Sequence, residues 1–108
     1  MKKGDVCMIN LSAGVRHEQR GIRPAVVMAH PYSNILIVIP LTSNLEALRF
    51  AHSVFIKQNN KNGLMQDSII LLSHIRSVDI SRIQEVIGKI DKKTMEKIDL
   101  SVKAMLKL

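Results

Sequence analysis

The sequence is poor in the residues that would assign it to several common protein classes. Its 108 residues include no tryptophan, one tyrosine, two phenylalanines and one cysteine. The single cysteine, Cys7, cannot form an internal disulfide and has no second cysteine at metal-ligand spacing, which fits a reducing compartment. The apolar runs are too short to span a bilayer, and the N-terminal "MKKGDV" lacks the apolar core of a signal peptide. We therefore expect a cytoplasmic protein that does not associate with a membrane.

Acidic side chains are also scarce, and this imbalance indicates the charge of the partner. Sixteen lysines and arginines against nine aspartates and glutamates leave a formal net charge of +7. Such an excess favours a polyanionic partner, and nucleic acid, an acidic peptide and an anionic surface all remain open. A chain of this length is expected to form one domain over residues 1–108, burying roughly 60 to 70 % of the surface that the unfolded chain exposes.

Short apolar runs separated by turn signals indicate a mainly β protein. Six runs are rich in valine and isoleucine and have the length of strands. They are residues 5–11, 24–30, 35–42, 52–57, 68–75 and 85–90. The intervening "HPYSN", "QNNKNG" and "SVDIS" carry the residues that turns require, and such short connections favour antiparallel neighbours. The pattern predicts a compact antiparallel barrel.

The C-terminal segment changes to a helical period. Asp91 is a suitable N-cap for a helix whose apolar residues recur at helical spacing. These residues are Met95, Ile98, Val102, Met105 and Leu106. We interpret this stripe as core packing and its lysines as a solvated face, so the helix is given no catalytic role.

A charged segment, "VRHEQRGIRP" at residues 15–24, precedes the second apolar run. No apolar period runs through it, and Gly14 and Gly21 bracket it, which indicates a surface loop. Pro24 restricts Arg23 to an extended conformation. A cation is thus held where a loop becomes a strand, either for a functional role or for a surface ion pair, for instance with Glu18.

Five further segments stand out along the chain, namely "GDV" at 4–6, "HEQRGIRPAVV" at 17–27, "PLTS" at 40–43, "DSIILL" at 67–72 and "IRSVD" at 75–79. They occur in the order seen in the MazF/PemK family of toxin endoribonucleases, which the sequence resembles over most of its length. Each segment is weak alone. The His-Glu-Gln-x-Gly-x-Arg-Pro string, followed by a strand and then Leu-Thr-Ser, is the specific combination.

The resemblance implies a fold, an activity and partners. The fold is mainly β (or α+β), a small SH3-like antiparallel barrel with a C-terminal helix of the CcdB/MazF type. The implied protein is a homodimeric toxin that cleaves single-stranded RNA and is neutralised by an antitoxin with an acidic C-terminal segment. No cluster in the sequence has metal-ligand spacing, so we expect cleavage without a metal or other cofactor, leaving 2′,3′-cyclic phosphate and 5′-hydroxyl ends.

Three residues are assigned to catalysis through the resemblance. Arg23 matches the arginine implicated in stabilising the pentacovalent phosphate, and a planar guanidinium can hold two phosphoryl oxygens. Thr42 matches the active-site threonine after the third strand, although β propensity alone also places threonines at strand ends. His17 matches a histidine that some relatives use for proton transfer or substrate contact; histidine is a suitable acid for the leaving oxygen.

Further residues are assigned to RNA binding. Glu18, Gln19 and Arg20 belong to the same loop motif, in which Glu18 is expected to shape the loop and Gln19 to contact a nucleobase. Ser43 offers a second hydroxyl beside Thr42.

His74 stands where relatives often have glutamine, and it can contact a nucleobase or accept a proton. The sequence departs from the family just before it. Some relatives use an arginine and an aspartate at the positions that correspond to Leu71 and Ser73 here. The general base is therefore left unassigned.

The few aromatic residues limit how RNA can be held. We expect Phe55 to fill the barrel, and Tyr32 or Phe50 to be exposed on loops. Stacking would then be sparse, and cationic and hydrogen-bonding contacts would make binding dependent on salt.

Two alternatives come from other functional classes. A non-enzymatic CcdB-like gyrase poison of the same fold depends on a C-terminal tail that contains tryptophan, whereas this chain has none and ends "MLKL". A basic module that binds RNA without cutting it is compatible with the composition.

Overall fold

The computed structural model describes residues 1–11 and 21–108, which form seven strands, one α-helix and three short 3₁₀ helices. The strands are β1 (Asp5–Asn10), β2 (Ile22–Tyr32), β3 (Ile35–Thr42), β4 (Ser53–Ile56), β5 (Ser68–Leu71), β6 (Arg76–Asp79) and β7 (Ile83–Lys89). The helices are η1 (Leu45–Arg49), η2 (Leu72–His74), η3 (Ile80–Arg82) and α1 (Lys92–Leu106). Within these described ranges, no helix is long and apolar enough to cross a membrane.

The strands form one antiparallel sheet in the order β4-β5-β3-β2-β1-β7, with β6 paired to β3. The long strand β3 has two partners along its length. Residues 35–38 pair with β6, whereas Leu41 and Thr42 pair with β5. This mainly antiparallel architecture with a C-terminal helix confirms the predicted class. The sheet is barrel-like but not closed, because among the described strands the two edge strands, β4 and β7, do not pair with each other.

The sheet is buried on both faces because alternate residues of its central strands enter two apolar clusters. Val6 and Val26 pack towards α1, in the cluster that contains Ile98. Their neighbours Cys7 and Val27 lie in the second cluster, on the opposite face. The two-residue period of a strand accounts for this division.

Two expectations about the strands are wrong. The run 68–75 leaves the sheet at Leu71 and continues as η2. The segment 77–81, read as a turn, contains most of β6, because Val78 is buried and the strand pairs with residues 35–38 of β3. Long-range pairing here outweighs the turn preference of serine and aspartate. The turn itself is confined to η3, where the Asp79 carboxylate accepts the Ser81 amide at 2.8 Å.

The aromatic side chains are exposed more often than predicted. Phe55 is 43 % exposed, so its placement in the core is wrong. It alternates along β4 with the buried Val54 and Ile56 and therefore points outward. Tyr32 and Phe50 are 70 % and 59 % exposed, as expected, although Tyr32 ends β2 and does not lie on a loop.

The helix begins where the sequence predicts. The Asp91 carboxylate accepts the Thr94 amide at 3.1 Å and the Thr94 hydroxyl at 2.6 Å. Met95 and Ile98 are buried, and Val102 and Met105 pack against the same cluster. The prediction that Leu106 packs in the core is wrong, because this residue is 50 % exposed.

Removal of this cap gives a measurable loss of stability. Hydrogen bonds that the Thr94 hydroxyl and, to a smaller extent, the Thr94 amide donate to the carboxylate lower the pKa of Asp91. We expect Asp91→Ala to lower the free energy of unfolding by about 1 kcal/mol in urea titrations at pH 7, and Asp91→Asn, which keeps an acceptor, to lose only a few tenths. Because the folded pKa is depressed, the carboxylate's contribution is present above its ordinary pKa and is lost as pH falls through the lower folded value. Equal losses in both variants would contradict the capping role.

The lone cysteine gives a second test of the core. The Cys7 thiol is fully buried and donates to the Ala25 carbonyl at 3.7 Å, and burial, followed by the charge of Asp5, raises its pKa to about 11. We expect no alkylation of the native protein at pH 8 and complete alkylation in denaturant, because the thiolate is the reactive species. Mass spectrometry measures the labelling, and rapid labelling of the folded chain would contradict this packing.

Candidate active site

Strand pairing brings two of the predicted catalytic residues to the same end of the sheet. In the ladder between β2 and β3, Ala25 lies opposite Pro40. Arg23 precedes Ala25 by two residues, and Thr42 follows Pro40 by two residues. Because the strands are antiparallel, both side chains lie at the same end of this ladder. Their other neighbours differ, since Arg23 pairs with Ile9 of β1 and Thr42 pairs with Ile69 of β5.

Arg23 lines a cavity of about 370 Å³. The guanidinium side chain is half-buried and shares the cavity with Ser43, Met65 and Gln66, and with Glu85 from β7. A cation, several hydrogen-bonding groups and an apolar wall suit a ligand that is partly anionic and partly apolar, as a nucleotide is.

Thr42 lines a second cavity, of about 410 Å³. Its side chain is 8 % exposed, and its hydroxyl oxygen accepts the Asn44 amide at 3.2 Å. The Asn44 side chain in turn accepts the Glu46 amide at 3.1 Å and thereby caps η1. Because the hydroxyl oxygen is held by the Asn44 amide, its proton is directed elsewhere and can be donated to a substrate.

The two cavities lie on either side of the segment 41–44, whose alternate residues line them. Leu41 and Ser43 line the Arg23 cavity, whereas Thr42 and Asn44 line the Thr42 cavity. The structure therefore brings Ser43 together with Arg23, and it places Thr42 in a different cavity from Arg23.

The remaining predicted site residues fall into two groups. His74, at the end of η2, lines the Thr42 cavity. His17, Glu18, Gln19 and Arg20 lie outside the described residues.

The segment 57–67 contributes to one wall of the Arg23 cavity and is held together by the buried Asn62 side chain. The Asn62 side chain accepts the Asn59 and Leu64 amides at 3.1 and 3.0 Å and donates to the Lys57 carbonyl at 3.0 Å. The Lys89 amide joins the segment to β7 through the Lys61 carbonyl at 2.8 Å. These hydrogen bonds fix the segment 57–67, and Met65 and Gln66 of this segment lie in the cavity wall.

Several lining residues were not found from the sequence. Met65, Gln66 and Glu85 contribute to the Arg23 cavity, and His52 contributes to the Thr42 cavity. None of them lies in the motif segments, and only pairing between distant strands brings them to the site. Among the described side chains, no group of three His, Cys, Asp or Glu residues is arranged to hold a metal ion.

Fold and site together define a small, mainly β protein with an arginine and a threonine at one end of a strand ladder. The family model for the PemK-like, MazF-like toxin of type II toxin-antitoxin systems matches residues 2–106. Endoribonuclease EndoA from Bacillus subtilis is 32 % identical over 112 residues, which cover 100 % of this chain and 96 % of the relative. Endoribonuclease MazF from Staphylococcus saprophyticus is also 32 % identical, over 100 % of this chain and 92 % of its own.

Solved structures agree on the fold. The crystal structure of MazF (Form-I) from Deinococcus radiodurans has a TM-score of 0.83 at 21 % identity and covers 100 % of this chain and 97 % of its own. MazF-mt6 from Mycobacterium tuberculosis has a TM-score of 0.77 at 16 % identity, over 96 % of this chain and 97 % of its own. The chain belongs to the PemK-like, MazF-like family of type II toxins, which confirms the resemblance seen in the sequence.

Proposed function

We propose that this family member is the toxin of a type II toxin-antitoxin system and cleaves single-stranded RNA without a metal cofactor. The observation that carries the proposal is the position of Arg23 and Thr42 at one end of the β2–β3 ladder, on either side of the segment 41–44. The relatives that are named endoribonucleases match the whole length of the chain and support the same activity.

The proposed chemistry uses the RNA as its own nucleophile. The ribose 2′-oxygen attacks the adjacent phosphorus, the bond to the 5′-oxygen breaks, and the products carry 2′,3′-cyclic phosphate and 5′-hydroxyl ends. Arg23 stabilises the charge that builds on the phosphoryl oxygens, because its planar guanidinium donates two parallel hydrogen bonds. The Thr42 hydroxyl donates a hydrogen bond to the same phosphate, since its oxygen already accepts the Asn44 amide.

The substrate is proposed to cross the segment 41–44, with the scissile phosphate between the two cavities. Nucleobases on either side then enter the cavities, where Met65 and Phe50 provide apolar surface for contact. Ser43 and His74 contact RNA from opposite sides of the segment. The charged loop keeps the roles that the resemblance implies. His17 acts as a proton donor or substrate contact, and RNA is bound by Glu18, Gln19 and Arg20.

We further propose a homodimer that is neutralised by an antitoxin with an acidic segment. The net charge of +7 supports an acidic partner. Exposed apolar side chains on η1, its C-cap and β4, namely Leu45, Leu48, Phe50 and Phe55, offer surface for such contacts. A MazE-MazF complex from Deinococcus radiodurans, 22 % identical with a TM-score of 0.77, has the same fold. We also propose that the single-stranded RNA is messenger RNA, which places the activity in the cytoplasm.

Assembly is tested in solution. Light scattering at micromolar protein concentration is expected to give twice the mass of the chain, because two-fold dimers are the commonest way for small proteins to cover exposed apolar surface. A monomer mass at that concentration would contradict the proposed dimer. Neutralisation by a basic peptide, rather than an acidic one, would contradict the electrostatic argument.

The activity is tested by incubating the purified protein with a defined single-stranded RNA, the DNA of the same sequence and an RNA duplex. We expect cleavage of the single-stranded RNA alone, because the DNA lacks the nucleophile and the duplex restrains it. Retention of RNA without cleavage would identify a binding module. Inhibition of gyrase supercoiling without RNA cleavage would identify a CcdB-like poison.

A further inference from the structure

We propose that His52 is a catalytic residue that works with His74 as the acid–base pair of RNA cleavage. This inference rests on the proposed ribonuclease function. Cleavage by the 2′-hydroxyl requires one group to remove its proton and another to protonate the departing 5′-oxygen. Leu71 and Ser73, which lie next to η2 in the sequence or within it, carry an aliphatic and a hydroxyl side chain, and neither is a general acid or base of the usual kind.

Both histidines line the same cavity as Thr42. Its other described lining side chains are apolar, hydroxyl or amide groups. They belong to Asn44, Ala47, Phe50, Ala51, Leu71 and Ser73. Among the described lining residues, the two histidines are therefore the only ones with the side chain that most often serves as a general acid or base.

The backbone fixes the two histidines relative to each other. Ser53 of β4 pairs with Leu71 of β5. Directly beyond this pair, the His52 carbonyl accepts the Leu72 amide at 3.0 Å. His74 follows two residues later, at the end of η2, where the Ile75 amide closes the turn onto the Leu72 carbonyl at 3.2 Å. One histidine thus lines the cavity from the residue before β4 and the other from the end of η2.

His52 also has an unusual backbone conformation. Its φ is 61°, in the left-handed region that residues with a side chain rarely adopt. Such residues are concentrated at functional sites, where the surrounding structure holds them. Here the bond to Leu72 and the start of β4 hold His52, and its side chain remains exposed at the cavity.

The proton balance of the step is complete with these two histidines, which leaves His17 the role of a substrate contact. One neutral imidazole takes the proton of the 2′-hydroxyl as the bond from the 2′-oxygen to phosphorus forms. The other imidazole, protonated at the start, gives its proton to the 5′-oxygen as the bond from phosphorus to that oxygen breaks. No electron is transferred, and exchange of protons with water restores both side chains.

The test compares two RNA substrates that differ at one atom of the scissile linkage. In the second substrate sulfur replaces the bridging 5′-oxygen, and a thiolate leaves without being protonated. We expect His52→Asn and His74→Asn each to slow single-turnover cleavage of the ordinary RNA by about 10²-fold or more. One of the two variants, the one that lacks the acid, is expected to recover a rate near the wild-type rate on the sulfur substrate, whereas the other stays slow.

Asparagine is chosen at position 52 because it tolerates the left-handed conformation. His52→Gly, in which that conformation carries no strain, is expected to show the same loss, and melting temperatures identify any variant that fails to fold. The matched control is His30→Asn, which removes an exposed histidine of β2 outside the cavity and is expected to cut at the wild-type rate.

The outcomes separate this inference from the proposed function. Wild-type cleavage by folded His52→Asn and His52→Gly would overturn the role of His52 and leave the ribonuclease intact. Equal slowing of both substrates in both variants would also overturn it, because neither histidine would then protonate the leaving group. A wild-type protein that cuts neither substrate would overturn the proposed function itself.

Discussion

Replacement of Arg23 by lysine is expected to slow single-turnover RNA cleavage by about 10²–10³-fold while RNA binding and melting temperature stay nearly unchanged. A transition-state clamp requires the planar two-pronged donor set of guanidinium, which an ammonium group cannot present. Lysine keeps the charge and most of the aliphatic stem, so long-range attraction of RNA and local packing are retained. Cleavage rates, RNA affinity and thermal unfolding are measured on the same preparations.

The comparison variants distinguish a clamp from a general basic surface. Arg82→Lys is the matched control, because Arg82 is exposed on η3 and donates to the Asn10 carbonyl at 3.4 Å, away from both cavities. Arg16→Lys and Arg20→Lys, in the charged loop of the sequence, are expected to lose far less activity than Arg23→Lys. Equal, mild losses in all variants would reduce Arg23 to a steering charge, and a collapse in melting temperature for Arg23→Lys alone would make it structural.

The second large effect concerns the wall of the Arg23 cavity. Gly63 has a φ of +68°, and a Cβ added to it would lie 2.0 Å from the Ile87 carbonyl oxygen of β7. Because the obstacle is backbone of a strand, it cannot turn aside as a side chain can. Gly63→Ala is therefore expected to lower the free energy of unfolding by about 4 kcal/mol or more, at the upper end of what single substitutions do. Denaturant titration measures the loss.

Gly21 provides the control for this experiment. It has a similar φ of +74°, but a Cβ built there meets no described atom within 4 Å. Gly21→Ala isolates the strain of the left-handed conformation, about 1–2 kcal/mol. A loss in Gly63→Ala no larger than that in Gly21→Ala would show that the segment 57–67 does not pack against β7 as described.

The strands and the helix were largely predictable because their signals are local. The valine- and isoleucine-rich runs between turn signals predicted a strand at all six positions, and Asp91 predicted the start of α1. β6 was missed because its alternation is short and its residues favour turns; its partner on β3 lies about 40 residues away in the sequence, a separation of the kind that local pattern does not reveal. Phe55 was misplaced because hydrophobicity alone does not tell which face of β4 is inside.

The site was predictable only where a motif carried it. Arg23 and Thr42 stand in segments that resemble the family, and their placement at one end of the β2–β3 ladder follows from antiparallel pairing. His52 stands outside those segments, and it reaches the Thr42 cavity because β4 pairs with β5. Which residues share a cavity depends on contacts between distant strands, and a single sequence does not supply them.

The central claim is that this chain cuts RNA by internal attack of the 2′-hydroxyl, without a metal ion. The most direct measurement digests a defined single-stranded RNA in excess EDTA and identifies the chemical ends of the fragments by mass spectrometry. The account predicts undiminished cleavage with a 2′,3′-cyclic phosphate on one fragment and a 5′-hydroxyl on the other. Loss of cleavage in EDTA, or fragments that carry a 5′-phosphate, would contradict it.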